Sequence, residues 1–182
     1  MNWQVALKLK QELTRLGIKC ILTKQHEKQV VTNRVRAETA NKAKAALFVR
    51  LHCDSGRGNG FTWYYPNHSA KKEEVTGPPI TVQHESKLAA NSLNETMRPL
   101  LKGFLKDNPV RTDAATGVGS RQGGVLTGSV FAKVPTTLIE MCFINQKKDA
   151  LFISSSKGQK KMAYAIAQGI RQYLAYLYNR KQ

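Results

Sequence analysis

Ala46-Leu-Phe-Val-Arg-Leu-His52 and Thr136-Thr-Leu-Ile-Glu-Met-Cys-Phe143 decide how this chain folds. Each is an apolar, strand-length run that does not alternate with polar residues. That is the pattern of a strand covered on both faces, as in a parallel sheet between helices. Working outward, the intervening segments supply the helices. Val5, Leu9, Leu13 and Leu16 recur at helical spacing within 2–16, and Gly17 stands at the C-terminal cap position. Ile18-Lys-Cys-Ile-Leu-Thr23 then reads as a further strand, and 31–44 as a second helix. Asp54 to Gly60 is a glycine-rich loop, and Phe61-Thr-Trp-Tyr-Tyr65 an aromatic strand. Residues 66–79, with their prolines and charges, read as an exposed loop, and 83–106 as a long helix that Pro99 should kink or divide. The stretch 107–128 reads as loop with one short strand near Val125. The last helix, 159–178, carries the stripe Met162, Ile166, Ile170, Leu174 and Leu177. The pattern predicts one α/β domain of three layers, a mostly parallel twisted sheet with helices on both faces, over residues 1–182.

Composition narrows the function classes. The chain has 182 residues, 41% hydrophobic and 23% charged, which excludes a disordered or fibrous protein. At this length roughly 70% of the unfolded surface can be buried, so no disulfide or metal staple is required. No apolar run reaches the ~20 residues of a bilayer span. The three cysteines, Cys20, Cys53 and Cys142, have no metal-finger spacing, and each sits in an apolar stretch as a small buried side chain. The 29 basic and 12 acidic residues leave a net charge of +17, which favours a polyanionic partner: nucleic acid, an anionic membrane or an acidic wall polymer. No block of five basic residues forms, so an arm-like nucleic-acid tail is disfavoured. A stacking platform of Trp63, Tyr64 and Tyr65 is disfavoured too, because contiguous strand residues alternate faces.

Two polar residues stand where an apolar strand should continue. His52 closes its strand before a glycine-rich turn, and a neutral imidazole there can ligate a metal or act as a base; the alternative is a hydrogen-bonded histidine at a strand end. Glu140, flanked by Leu138, Ile139 and Met141, is costly to bury unless it is paired, metal-bound or used as a proton carrier; the alternative is a salt bridge to one of the many Lys or Arg residues. Arg36 and Asn41 read as a helix-to-strand tether, and Arg121 as a candidate for contact with an acidic peptide stem.

Arg36-Ala-Glu-Thr-Ala-Asn41, Leu47-Phe-Val-Arg-Leu-His-Cys-Asp54 and Val134-Pro-Thr-Thr-Leu-Ile-Glu-Met-Cys-Phe-Ile-Asn145, with Asp149, Leu151 and the last helix, together resemble the zinc-dependent N-acetylmuramoyl-L-alanine amidases, the peptidoglycan-cleaving domains of bacteria. The resemblance covers nearly the whole chain. It implies that His52 matches a histidine ligand of Zn2+ and that Glu140 matches a late catalytic glutamate. It also implies hydrolysis of the amide between N-acetylmuramic acid and L-alanine. The implied partners are peptidoglycan and anionic wall polymers, with nucleic acid disfavoured and no transmembrane segment. The family's first histidine ligand and its glutamate ligand have no counterpart, since Met1-Asn2-Trp3 aligns just beyond them. His26, His68 and His84 read as exposed and are no substitutes. The expectation is an N-terminally incomplete catalytic domain, inactive or nearly so as it stands, with a non-catalytic wall-binding or regulatory domain as the second reading. No signal peptide precedes the first helical pattern, so extracytoplasmic action is expected to depend on upstream sequence. Smaller departures are Ala46, Cys142 and Gln146, where the family more often carries an acidic residue, glycine and asparagine.

Overall fold

The computed structural model describes residues 1–180 and 182. Helix α1 (Asn2–Arg15) buries Val5, Leu9 and Leu13 and ends where Gly17, at φ +71°, lets the Ile18 N–H turn back to the Leu13 carbonyl (2.9 Å). Residues 18–24 follow without regular structure. Helix α2 (Asn33–Lys42) starts on Thr32, whose hydroxyl accepts from the Val35 N–H. Strands β1 (Phe48–Asp54), β2 (Thr62–Tyr65), β3 (Ala70–Lys72) and β4 (Val75–Gly77) precede helix α3 (Ile80–Leu101), which runs unbroken past Pro99. Strand β5 (Arg111–Thr112), helices α4 (Gly117–Arg121) and α5 (Thr127–Val130), strand β6 (Thr136–Phe143) and helices α6 (Lys147–Ser154) and α7 (Ser156–Asn179) complete the chain.

The main sheet has the order β1-β6-β2-β5. The pairs β1·β6 and β2·β5 are parallel and β2·β6 is antiparallel, so the sheet is mixed and mostly parallel. Every residue of β6 is buried, as expected for a central strand with both faces covered. One face, through Trp63, Ile139 and Met141, packs against α1, α3 and α7 in the larger core. The other face, through Phe48, Tyr64 and Leu138, packs against Ala37 and Ala40 of α2, Phe131 and Leu126. This is the three-layer α/β domain the sequence pattern predicts.

Four expectations need correction. Residues 18–23 are not a strand: they join neither sheet and have no regular structure. The segment 66–79 is not simply loop: β3 and β4 form a hairpin. The short strand of 107–128 is Arg111–Thr112 rather than a stretch near Val125, which is a fully buried coil residue, and α4 and α5 occupy much of the remainder. Finally, the long helix read over 83–106 spans Ile80–Leu101, and Pro99 does not divide it; α6, on which the sequence reading is silent, intervenes between β6 and the last helix. Trp63 is fully buried and Tyr64 nearly so, which removes any stacking platform. Among the described residues, no helix is long and apolar enough to cross a membrane.

Candidate active site

Parallel pairing of β1 with β6 sets His52 opposite Glu140 in register. Side chains two residues apart share a face, so Arg50, His52 and Glu140 all project from the α2 side of the sheet, toward its carboxyl edge. Nδ1 of His52 lies 3.9 Å from Oε1 of Glu140, beyond hydrogen-bond distance, and Oε2 of Glu140 is buried without a partner. The two residues that interrupt apolar strands are therefore brought together, and Glu140 is not locked into an ion pair on another edge.

Electrostatics keep both groups uncharged. Burial foremost, then the negative charge of Asp54, pushes the Glu140 carboxyl up to about 8, although the Arg50 guanidinium pulls the other way. Desolvation, with the positive charges of Arg50 and Arg36, holds His52 below the ordinary imidazole value. At neutral pH the site thus holds a neutral imidazole beside a carboxyl that is mainly protonated. A positive neighbour would be needed to ionise Glu140 fully.

Arg50 is the residue that sequence reading passed over. It is buried beneath the site and donates from Nη2 to Ser129 Oγ (2.7 Å), which in turn donates to Asp113 Oδ2 (2.6 Å). Asp113 lies 4.0 Å from Arg50 and also accepts from the Leu126 N–H (3.1 Å). Room for the guanidinium exists only because residue 128 is glycine: a Cβ there would come within 2.8 Å of Nη1. A buried arginine needs an anion; Asp113 lies 63 positions further along the chain (113 − 50), too far for local pattern to reveal.

Arg36 and Asn41 tether α2 to irregular segments rather than to a strand, which corrects the helix-to-strand expectation. Arg36 donates to the Val31 carbonyl and to Thr23 Oγ1, while Asn41 bridges to the Phe131 carbonyl and the Lys133 N–H. Asp149 is a third brace: it is buried and accepts from the Gly60 N–H (2.6 Å) and the Phe143 N–H (3.1 Å), fixing the loop after β1 to the end of β6. Cys53 and Cys142, next to His52 and close to Glu140, are free thiols, as is Cys20. His26, His68 and His84 are exposed, and Arg121 sits exposed on α4.

The donors present do not make a zinc site. A catalytic zinc needs three protein ligands and an open position. His52 and the orphaned Glu140 oxygen are two suitable groups, but among the described residues no three His, Cys, Asp or Glu side chains come together to hold a metal.

Known proteins now bear on this arrangement. A family model described as N-acetylmuramoyl-L-alanine amidase matches residues 1–172. An N-acetylmuramoyl-L-alanine amidase of Mycobacterium tuberculosis is 25% identical over 175 residues, which cover 96% of this chain and 67% of that protein. Among solved structures, the N-acetylmuramyl-L-alanine amidase of Mycobacterium smegmatis superposes with a TM-score of 0.75 at 22% identity, over 96% of this chain and 75% of that one. The catalytic domain of an amidase from Paenibacillus polymyxa gives 0.71 at 22% identity, over 94% and 81%. At these identities the solved structures speak for the fold.

Proposed function

The chain belongs to the N-acetylmuramoyl-L-alanine amidase family, and from that premise we propose that its site serves hydrolysis of the amide joining the muramic lactyl group to L-alanine. The observation that carries this reading is the His52–Glu140 pair, 3.9 Å apart on facing positions of β1 and β6 with one carboxylate oxygen buried and unpartnered. An ionised Glu140 takes a proton from the attacking water as the new C–O bond forms. It then returns that proton to the L-alanine nitrogen as the C–N bond breaks. His52, neutral and half-exposed, faces the same space and can accept a hydrogen bond or offer a lone pair to a cation.

The zinc that the family resemblance implies would draw on His52, and it requires donors that the described residues do not bring to it. We therefore assign the remaining ligands to polypeptide outside these 182 residues. The isolated chain is then a weak zinc binder and a poor hydrolase. With Glu140 protonated near neutral pH, its base function also waits on added positive charge. The net charge of +17 supports attraction to an anionic cell wall, and membership of a cell-wall amidase family supports action outside the cytoplasm.

The lack of a third donor favours one alternative, a non-catalytic wall-binding domain on the same fold. Zinc titration by calorimetry, together with release of free L-alanyl amino groups from purified peptidoglycan, separates the readings. The incomplete-enzyme reading expects no sub-micromolar zinc site in the isolated chain. It expects hydrolysis once upstream polypeptide is restored. A restored protein that binds wall and zinc but releases no amino groups overturns it in favour of the wall-binding domain.

A further inference from the structure

His52 and Glu140 stand just before an irregularity in the ladder that joins β1 to β6. The register runs from His52↔Glu140 to Asp54↔Phe143, two steps along β1 against three along β6. The extra residue belongs to β6, so Met141 and Cys142 both stand opposite Cys53. Strict alternation would put Cys142 on the face of Leu138 and Glu140. The bulge turns it over instead. Cys142 is fully buried with Met141 in the larger core, and Cys53 packs against that same core. Two thiols from neighbouring strands therefore share one face of the sheet, directly behind the His52–Glu140 pair.

Neighbouring strands lie roughly 4.8 Å apart, and a disulfide spans Cα atoms separated by roughly 4.4–6.8 Å. The side chains meet as well. The contact between these two thiols is the foremost influence on the proton affinity of each, lowering Cys53 and raising Cys142. Both are free thiols, and they differ in access: Cys53 is half-buried, whereas Cys142 has no exposed surface. A small oxidant arriving from solvent meets Cys53 first and leaves Cys142 behind it as the second thiol. Cys20 lies in the irregular segment after α1, and neither of the other thiols is among the groups acting on it.

We infer that Cys53 and Cys142 are a modification site, a dithiol that a hydroperoxide closes into a disulfide between β1 and β6 behind the candidate active site. In the first step the Cys53 sulfur attacks one peroxide oxygen; the O–O bond breaks, Cys53 becomes a sulfenic acid and one water leaves. In the second the Cys142 sulfur attacks the Cys53 sulfur. The S–S bond forms as the S–O bond breaks, and the hydroxide leaves as water with the Cys142 proton. The two thiols lose two electrons together, and the peroxide takes them up as it becomes two waters. The consequence is local. Strand β1 is an edge strand with β6 on one side only, and beyond the bulge the Ile144 N–H reaches back to the Asp54 carbonyl (2.8 Å). A covalent tie beside that bond fixes the end of β1 one residue from His52 and two from Glu140. This stands on where the bulge places the sulfurs, whether or not Glu140 hydrolyses anything.

The test uses the whole chain and hydrogen peroxide, followed by peptide mapping without reduction. A Cys53–Cys142 cross-linked peptide should be the main product at every protein concentration, and dithiothreitol should reverse it. Hydrogen exchange at the Ile144 amide should be at least tenfold slower in the oxidised protein and return on reduction. Cys142→Ala removes the second thiol, so Cys53 should stop at sulfenic acid, trapped by dimedone, and pass on to sulfinic acid with excess peroxide. Cys53→Ser changes a half-exposed position and keeps the core thiol; oxidation of Cys142 should then slow at least tenfold. Sulfinic acid at Cys53 in the parent as readily as in Cys142→Ala overturns the inference. So does a cross-link that runs to Cys20 or between two chains, or an Ile144 exchange rate that oxidation leaves unchanged.

Discussion

Replacing Glu140 by Gln should stabilise the metal-free protein at alkaline pH, by an amount that the site's electrostatics set. In the unfolded chain a glutamate loses its proton near its ordinary value of 4.5, whereas in the folded protein Glu140 keeps it up to about 8. Between those values the native state holds one proton more than the unfolded state. Unfolding free energy therefore falls by about 1.4 kcal/mol for each pH unit gained, and levels off above pH 8. From pH 5 to pH 8 the cost amounts to about 4 kcal/mol, an upper value because water entry and relaxation ease the burial of the charge. Gln has the same shape and no titration. The groups facing Glu140 — Arg50, His52, Cys53 and Asp54 from β1, Thr62 from β2 — remain in both proteins. Urea titrations of parent and Glu140→Gln in EDTA at pH 5, 6, 7 and 8 give the difference directly. The variant should lie close to the parent at pH 5 and above it by a few kcal/mol at pH 8. Two stability curves that stay parallel across this range would refute the claim that Glu140 is an unpaired, desolvated carboxyl.

Three further outcomes test the scaffold around the site. Asp113→Ala removes the anion beside buried Arg50 and should cost about 3–5 kcal/mol in urea unfolding. Gly60→Ala should be more damaging than Gly17→Ala, although both positions have positive φ. At Gly60 a Cβ would sit 2.0 Å from the Lys106 carbonyl oxygen, whereas Gly17 has open space, so the second should lose only about 1 kcal/mol and the first at least twice that by thermal melting. Binding to a purified anionic wall polymer should weaken at least tenfold between roughly 0.05 M and 0.5 M NaCl if the +17 charge drives it, and a salt-independent isotherm in a pull-down would remove that role.

His52 and Glu140 could be read from the sequence because a polar group inside an apolar strand has few inexpensive explanations, and because both strands announce their register through composition alone. Arg50 obeys the same rule but hides behind its chemistry. A guanidinium among apolar neighbours reads as an edge or solvated residue until Asp113 and Ser129 are seen to meet it, and neither is tied to it by any local spacing. Helix α1 and the last helix were legible because a stripe of Leu and Ile at helical spacing needs only a helix to be satisfied. Helix α6 begins on a Lys-Lys-Asp run whose key residue, Asp149, faces inward to bind the Gly60 and Phe143 amides, so its sequence resembles a solvated turn.

The failure of Ile18-Lys-Cys-Ile-Leu-Thr23 as a strand is of a different kind. Strand preference is a statement about fitting a pleated, half-buried surface, and it is realised only where a neighbouring edge offers hydrogen bonds. Here residues 18–24 and the edge strand β1 line one groove without pairing, so the same residues that predict a strand end as coil with Ile21 exposed. The local signal was sound, but among the described residues no strand pairs with it. Three observations meet at this groove among the described residues: an edge on β1 whose side chains are half-buried, a strand-like segment without a strand, and a site whose cation-binding groups fall short of three. Independent decay of each feature in a non-catalytic relative would leave the groove free to close by packing 18–24 against β1, which would bury Ile21 and pair Val49 and Leu51. The groove instead stays open and apolar, with Arg36, Arg50 and His52 lining it.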